Sequence, residues 1–168
     1  MNPKIDLLQR RVRLLVLFFM VALVFSGLTA IPVLQELNVL LELLPSSGKL
    51  TELLCNVRNS LLEVNNRYGF LQYGFDWLAF AHLVIAVAFV GVLRNPVRNI
   101  WVLEFGLIAC VMVLPFAFIM GGLRGLPLWW RLIDCSFGVV GFFPLWFARK
   151  AVLQLEAMQA EDRLNTIF

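Results

Sequence analysis

The chain has 168 residues, of which 61% are apolar and only 15% are charged, and its mean hydropathy is +0.84. A soluble domain is nearer half apolar and a quarter charged, so a soluble core of this size would leave too much apolar surface exposed. The formal charge of +3 is small, and the basic residues lie at the ends of apolar runs, which argues against nucleic-acid binding. The composition therefore predicts one all-α domain, residues 1–168, in a lipid bilayer.

The first apolar run covers about residues 14–33, follows Arg10, Arg11 and Arg13, and ends at Pro32. Basic residues before an apolar run also begin a secretory signal peptide. Signal cores have roughly 7–15 apolar residues, however, and this run has about 20, enough for a helix to cross the hydrocarbon core. We therefore predict an uncleaved first membrane span.

The segment that follows, residues 34–73, has apolar residues at helical spacing from Leu50 to Val64 and polar residues between them. This pattern predicts an amphipathic helix, and the run from Pro45 to Gly48 separates it from a shorter apolar helix before it. The segment is interpreted as a helical hairpin on the membrane surface or over the bundle. It is also suited to closing a cavity as a lid.

Three further apolar runs predict membrane spans at about residues 74–93, 99–122 and 128–148. A tight loop containing Pro96 joins the second span to the third. The tail, residues 149–168, continues as a helix with polar flanks. We expect the four spans to form a bundle.

Basic residues in short flanks predict the orientation, because such residues favour the cytoplasmic side. They precede the first span, lie between the second and third, and follow the fourth: Lys4, Arg10, Arg11, Arg13, Arg94, Arg98, Arg149 and Lys150. Both termini and the tail are therefore expected in the cytoplasm and residues 34–73 outside. We predict a multi-pass protein of a bacterial inner membrane or a plasma membrane.

The cysteines and the histidine limit the metal chemistry. Cys55, Cys110 and Cys135 are odd in number and have no C-x-x-C spacing, which argues against a zinc site or a dithiol relay. A bridge between Cys55 and Cys135 on the outer side remains an alternative to free thiols. One histidine, His82, rules out a bis-histidine haem within one chain, and we expect no metal and no cofactor.

Three acidic or basic residues lie at least five residues inside the predicted spans: His82, Glu104 and Asp134. Burying such groups in hydrocarbon costs a few kcal/mol or more, so they must be paired, solvated or used. At 1.5 Å per residue, His82 lies ~12 Å and Asp134 ~9 Å below the outer ends of their spans, and Glu104 lies ~7 Å from the inner end of its span. Asp76, near the outer mouth, either joins this set or caps the second span.

Each of the three has a structural alternative. His82 would hydrogen-bond a neighbouring carbonyl or hydroxyl group, and Glu104 would pair with Arg98 at the inner interface. Arg131 precedes Asp134 by three residues on the same helix face, which predicts a structural ion pair. These alternatives leave His82 and Glu104 as the favoured functional pair.

The chain has none of the glycine-rich, P-loop, zinc-protease or nucleophile-elbow motifs that would define an enzyme class. The four-span layout with intramembrane carboxylates is similar in architecture to the EXPERA-type sterol isomerase and ligand-binding proteins, although no residue roles are carried over. The favoured function is an intramembrane pocket for a lipophilic small molecule, as a binder or as an acid–base enzyme.

One alternative is a structural or accessory subunit that packs against a membrane-protein partner or a second copy. A proton or ion pathway is less favoured, because four spans make a narrow monomer that would need to oligomerise.

Overall fold

The computed structural model describes residues 3–45 and 47–167. Every regular element in this part of the chain is helical, as predicted. The α-helices are α1 (Pro3–Thr29), α2 (Val33–Leu43), α3 (Lys49–Arg67), α4 (Tyr73–Ala88), α5 (Val90–Arg94), α6 (Ile100–Leu123) and α7 (Leu128–Ile167), and a 3₁₀ turn at Gly69–Leu71 precedes α4.

Four helical stretches are long and apolar enough to cross a membrane: Pro3–Thr29, Gly69–Arg94, Ile100–Leu123 and Leu128–Asp162. Their exposed surfaces are rich in large apolar side chains, as expected where lipid is the solvent; Phe116, for example, is 67% exposed. The prediction of four helices suited to crossing a membrane is confirmed for the described residues.

The ends of the first span differ from the prediction. The helix begins at Pro3, inside the basic flank, and ends at Thr29 rather than near residue 33. The Thr29 hydroxyl donates a hydrogen bond to the carbonyl of Ser26 (3.0 Å), and a turn then leads to Pro32 at the start of α2. Pro32 is the N-cap residue directly before Val33, and because it has no N–H to donate, it suits the start of a new helix better than the interior of a continuing one.

The second span is interrupted near its end. Helix α4 stops at Ala88, Phe89 lies in a turn with its side chain fully buried, and α5 begins at Val90. The loop after α5 is fixed by the Asn99 amide group, which donates to the carbonyls of Gly91 and Asn95, both at 2.9 Å.

The contacts of the chain divide it into two compact units. One unit contains the residues up to Val21 and those from Val87 onward, and the other is Ala22–Ala86. The boundaries fall within α1 and α4. The first unit therefore contains most of α1 with α5, α6 and α7, and the second contains the end of α1 with α2, α3 and nearly all of α4.

The antiparallel pair of α6 and α7 forms the core of the first unit. A Cβ atom added at Gly138 would lie 2.6 Å from the carbonyl oxygen of Cys110, so the two backbones meet there. Gly106 lies against Leu145 and Phe89 in the same way, at 2.7 and 2.9 Å. Small residues permit such close approach in lipid, where packing rather than apolar burial drives helix association.

Helices α2 and α3 form a hairpin in the second unit. The Arg58 guanidinium donates to the side-chain carbonyl of Asn38 at 2.5 Å, and Leu37 and Leu54 are buried. The Thr51 hydroxyl donates to the carbonyl of Pro45 (3.0 Å), which fixes the start of α3. The segment predicted to form two helices after the first span does so.

Candidate functional site

Glu104 forms an ion pair with Arg149 that joins α6 to α7. Arg149 Nε and Nη2 both donate to Glu104 Oε1, at 3.0 and 2.8 Å, and the side chains are 44% and 31% exposed for Glu104 and Arg149 respectively. Because α6 and α7 are antiparallel, a residue near the start of α6 is level with one far along α7. The carboxylate is thereby neutralised at the end of the first unit's core.

This partner differs from the one that the sequence predicts. The predicted partner is Arg98, six residues before Glu104, whereas the observed arginine is 45 residues away in the chain. The sequence did contain a signal for this pair. Arg149 is the first basic residue after the fourth apolar run, and Glu104 lies near the start of the third run. An antiparallel hairpin brings those two ends together.

His82 is held within its own helix. Its Nδ1 atom lies 2.8 Å from the carbonyl oxygen of Leu78, one turn earlier. Because a carbonyl oxygen only accepts hydrogen bonds, Nδ1 is the donor in this contact. A Cβ atom at Gly27 would lie 2.7 Å from the Cβ of His82, so the end of α1 packs directly on this part of α4. This geometry matches the structural alternative for His82.

Arg131 does not form the predicted ion pair with Asp134. Its Nε and Nη2 atoms donate to the carbonyl oxygen of Leu126, at 2.9 and 2.6 Å, and its side chain lies over Gly121. Glu63–Arg67 and Glu104–Arg149 are ion pairs between described residues, whereas Arg131 and Asp134 do not pair with each other. A cation near the carbonyls that follow α6 is favoured by the helix dipole, which gives this region partial negative charge.

Asp134 has no hydrogen bond or ion pair with any side chain that the structure describes, residues 3–45 and 47–162, and its own side chain is half-buried. It lies at the end of the second turn of α7, about 9 Å along the helix from Leu128. A carboxylate at this depth needs water or a partner outside the chain's described part.

Asp76 lies in a groove on α4 that the sequence analysis did not identify. The groove has a volume of about 280 Å³ and is lined by Tyr73, Asp76, Trp77 and Phe80; we call it the aromatic groove. These four residues follow the i, i+3, i+4, i+7 spacing of one helix face. That spacing is visible in the sequence and was the signal that could have found the site.

The rings of the aromatic groove face outward and meet at steep angles. Tyr73, Trp77 and Phe80 are 58%, 55% and 54% exposed, and the ring centroids of neighbours are 5.9 and 5.6 Å apart at interplanar angles of 81° and 89°. Asp76 is exposed, and its carboxylate has no hydrogen bond or ion pair among the described residues. The groove therefore presents three aromatic rings and one uncompensated carboxylate.

A second cavity, of about 500 Å³, lies between α2 and α3 and is lined by Asn38, Leu41, Glu42 and Arg58. Neither cavity is lined by His82, Glu104 or Asp134, on which the predicted intramembrane pocket depended. His82 and Asp76 belong to the unit Ala22–Ala86, whereas Glu104 and Asp134 belong to the other unit.

The described residues contain no group of three or more histidine, cysteine, aspartate or glutamate side chains placed to hold a metal ion. Cys55, Cys110 and Cys135 are free thiols, the last two of them buried.

Four helices suited to crossing a membrane, among described residues whose regular elements are all helical, indicate a multi-pass membrane protein as the class. No protein-family model, curated protein or solved structure matches this chain.

Proposed function

We propose that the protein binds a small lipophilic molecule from the membrane, and that the aromatic groove on α4 holds the polar end of that molecule. The observation that supports this proposal is the groove itself, in which an unpaired Asp76 carboxylate lies among three exposed aromatic rings. Ligand sites in proteins typically combine mostly apolar walls with a few polar groups that orient the ligand.

The position of the groove suits a ligand that partitions between lipid and water. Tyr73 and Asp76 lie in the first turn of α4, at the start of the apolar stretch that forms the second span. Tyrosine and tryptophan side chains favour the interface between hydrocarbon and water. In the topology predicted from the basic flanks, this end of the span faces the outer side.

Binding is favoured over acid–base catalysis. A general acid or base must reach the proton that it transfers. Glu104 already accepts two hydrogen bonds from Arg149, and Nδ1 of His82 is engaged by Leu78. We therefore assign both side chains to the packing of their helices rather than to a reaction.

A second candidate function, as a subunit that packs against another membrane protein or a second copy, is favoured by Asp134. This half-buried carboxylate has no partner among the described residues of its own chain, and a polar side chain from a neighbouring helix would supply one. This candidate would be favoured if the protein purified only as a stoichiometric complex with a membrane-protein partner or a second copy, and if Asp134→Asn disrupted that complex.

Native mass spectrometry of the protein purified in a mild, uncharged detergent tests the ligand proposal. We expect a lipophilic molecule to remain bound to the wild-type protein and to be lost when Trp77 is replaced by leucine. The matched control is Trp129→Leu, which removes an exposed tryptophan from α7. Equal retention by all three proteins would contradict the assignment of the groove as the site, and the absence of any bound molecule would contradict the function.

A further inference from the structure

We infer that the polar group held in the aromatic groove is an ammonium group, so that the ligand is a lipophilic amine or the amine headgroup of a membrane lipid. This inference rests on the proposed function, because it specifies the ligand of the same groove. It follows from the angles between the rings, the isolated charge of Asp76 and the absence of a basic side chain from the groove lining.

The ring geometry leaves aromatic faces available to a cation. Tyr73 and Trp77 meet at 81° and Trp77 and Phe80 at 89°, edge to face, so each contact occupies one face of only one of its two rings and leaves the other faces open. The centroids are 5.9 and 5.6 Å apart, and a cation interacts with a ring within about 6 Å of the centroid. A single ammonium group in the corner between two rings is therefore in range of both.

The charges in the groove favour a cation and oppose an anion. Asp76 supplies the formal charge of the lining, and its carboxylate is exposed and unpaired in the described part of the chain. Arg67, the basic residue that precedes the groove in sequence, pairs with Glu63 at 3.5 Å. The positive end of the α4 dipole would attract an anion, but Asp76 in the first turn already carries the negative charge favoured there.

The same helix face provides a path for an apolar tail. Val84 follows Phe80 by one helical turn and is 49% exposed. An alkyl chain attached to an ammonium group at Asp76 would thus lie along α4 toward the interior of the bilayer. This arrangement places the charge at the boundary and the tail in hydrocarbon, as an amphiphile requires.

The inference is tested by competitive binding in uncharged maltoside micelles, measured by native mass spectrometry. Three probes share a twelve-carbon chain and differ in the head: dodecyltrimethylammonium, dodecanol and dodecyl sulfate. Asp76→Asn and Trp77→Leu remove the charge and one ring, whereas Glu36→Gln removes an exposed acid from the first turn of α2 and Trp129→Leu removes a tryptophan elsewhere.

We expect the ammonium probe to bind the wild-type protein best and to bind both groove variants roughly tenfold more weakly, with the two control variants unchanged. Addition of phosphatidylethanolamine or phosphatidylglycerol identifies the source of the amine. Selective retention of phosphatidylethanolamine indicates a lipid headgroup, and retention of the trimethylammonium probe alone indicates a free lipophilic amine.

Two other outcomes distinguish failure of the ammonium inference from failure of the proposed ligand-binding function. Equal binding of the three probes, lost in Trp77→Leu but unaffected by Asp76→Asn, would overturn the ammonium inference and leave the proposed function in place. If no probe or lipid binds and no molecule is retained from the membrane, both the inference and the proposed function are wrong.

Discussion

Replacing Gly138 by alanine perturbs the closest backbone approach between α6 and α7. The added Cβ would lie 2.6 Å from the carbonyl oxygen of Cys110, and ordinary contact begins near 3.4 Å. The two helices must therefore separate locally by about 0.8 Å, because a backbone carbonyl within a helix cannot rotate away as a side chain can. Over-packing of this kind costs about 1–3 kcal/mol.

Thermal unfolding in detergent micelles measures this cost. At roughly 2–4 °C per kcal/mol for a chain of this size, we expect Gly138→Ala to lower Tm by about 2–12 °C, with about 4–8 °C for a cost in the middle of that range. Gly106→Ala should cost less, because its close neighbours are the ends of the Leu145 and Phe89 side chains, which have more freedom to move.

Gly74→Ala is the matched control, since nothing lies within 4 Å of the Cβ that it adds to α4. Alanine also has the higher helix propensity, so this variant should keep or slightly raise the Tm. If Gly138→Ala melts at the same temperature as Gly74→Ala, the α6 and α7 backbones do not meet at Cys110 and the packing described for the first unit is incorrect.

Three further predictions concern contacts within one unit. Glu104→Gln and Arg149→Gln should each lower the free energy of unfolding by about 1 kcal/mol, because the ion pair is partly exposed. A double-mutant cycle should show that the two losses are not additive, and additive losses would mean that no pair forms. Gly27→Ala should lower Tm, and His82→Ala should not rescue it because alanine retains the clashing Cβ; a rescue would place the imidazole ring at the contact instead. Gly125 has φ +69° and open space around it, so Gly125→Ala should cost about 1 kcal/mol of backbone strain. Gly125→Asn should cost less, because asparagine tolerates the left-handed conformation better, and equal Tm values for the two variants would contradict the left-handed turn.

The spans could be predicted because lipid imposes a simple requirement on the sequence. A helix that crosses hydrocarbon needs about 20 apolar residues, and four runs of that kind are present. The ends of the helices were harder to predict than the spans. The basic flank before the first apolar run contains no helix breaker after Pro3, so α1 begins there, well before the apolar run. Its end at Thr29 depends on a local hydrogen bond and on the turn before Pro32.

The partners of the charged residues could not be predicted from spacing along one helix. Arg131 was expected to pair with Asp134 three residues away, but a backbone carbonyl in the turn after α6 is within reach and accepts two hydrogen bonds from it. Glu104 pairs with Arg149 because α6 and α7 are antiparallel neighbours. These pairings depend on tertiary structure, which local periodicity does not contain.

Photolabelling tests the central claim, the binding of a lipophilic molecule in the aromatic groove, most directly. The purified protein would be irradiated with a diazirine-bearing alkyl amine, and the labelled peptides would be identified by mass spectrometry with and without excess unlabelled dodecyltrimethylammonium. The groove predicts saturable labelling between Tyr73 and Val84 that the competitor removes and that Trp77→Leu abolishes. Labelling spread evenly over the exposed apolar faces of all four spans, and insensitive to competitor, would contradict the account.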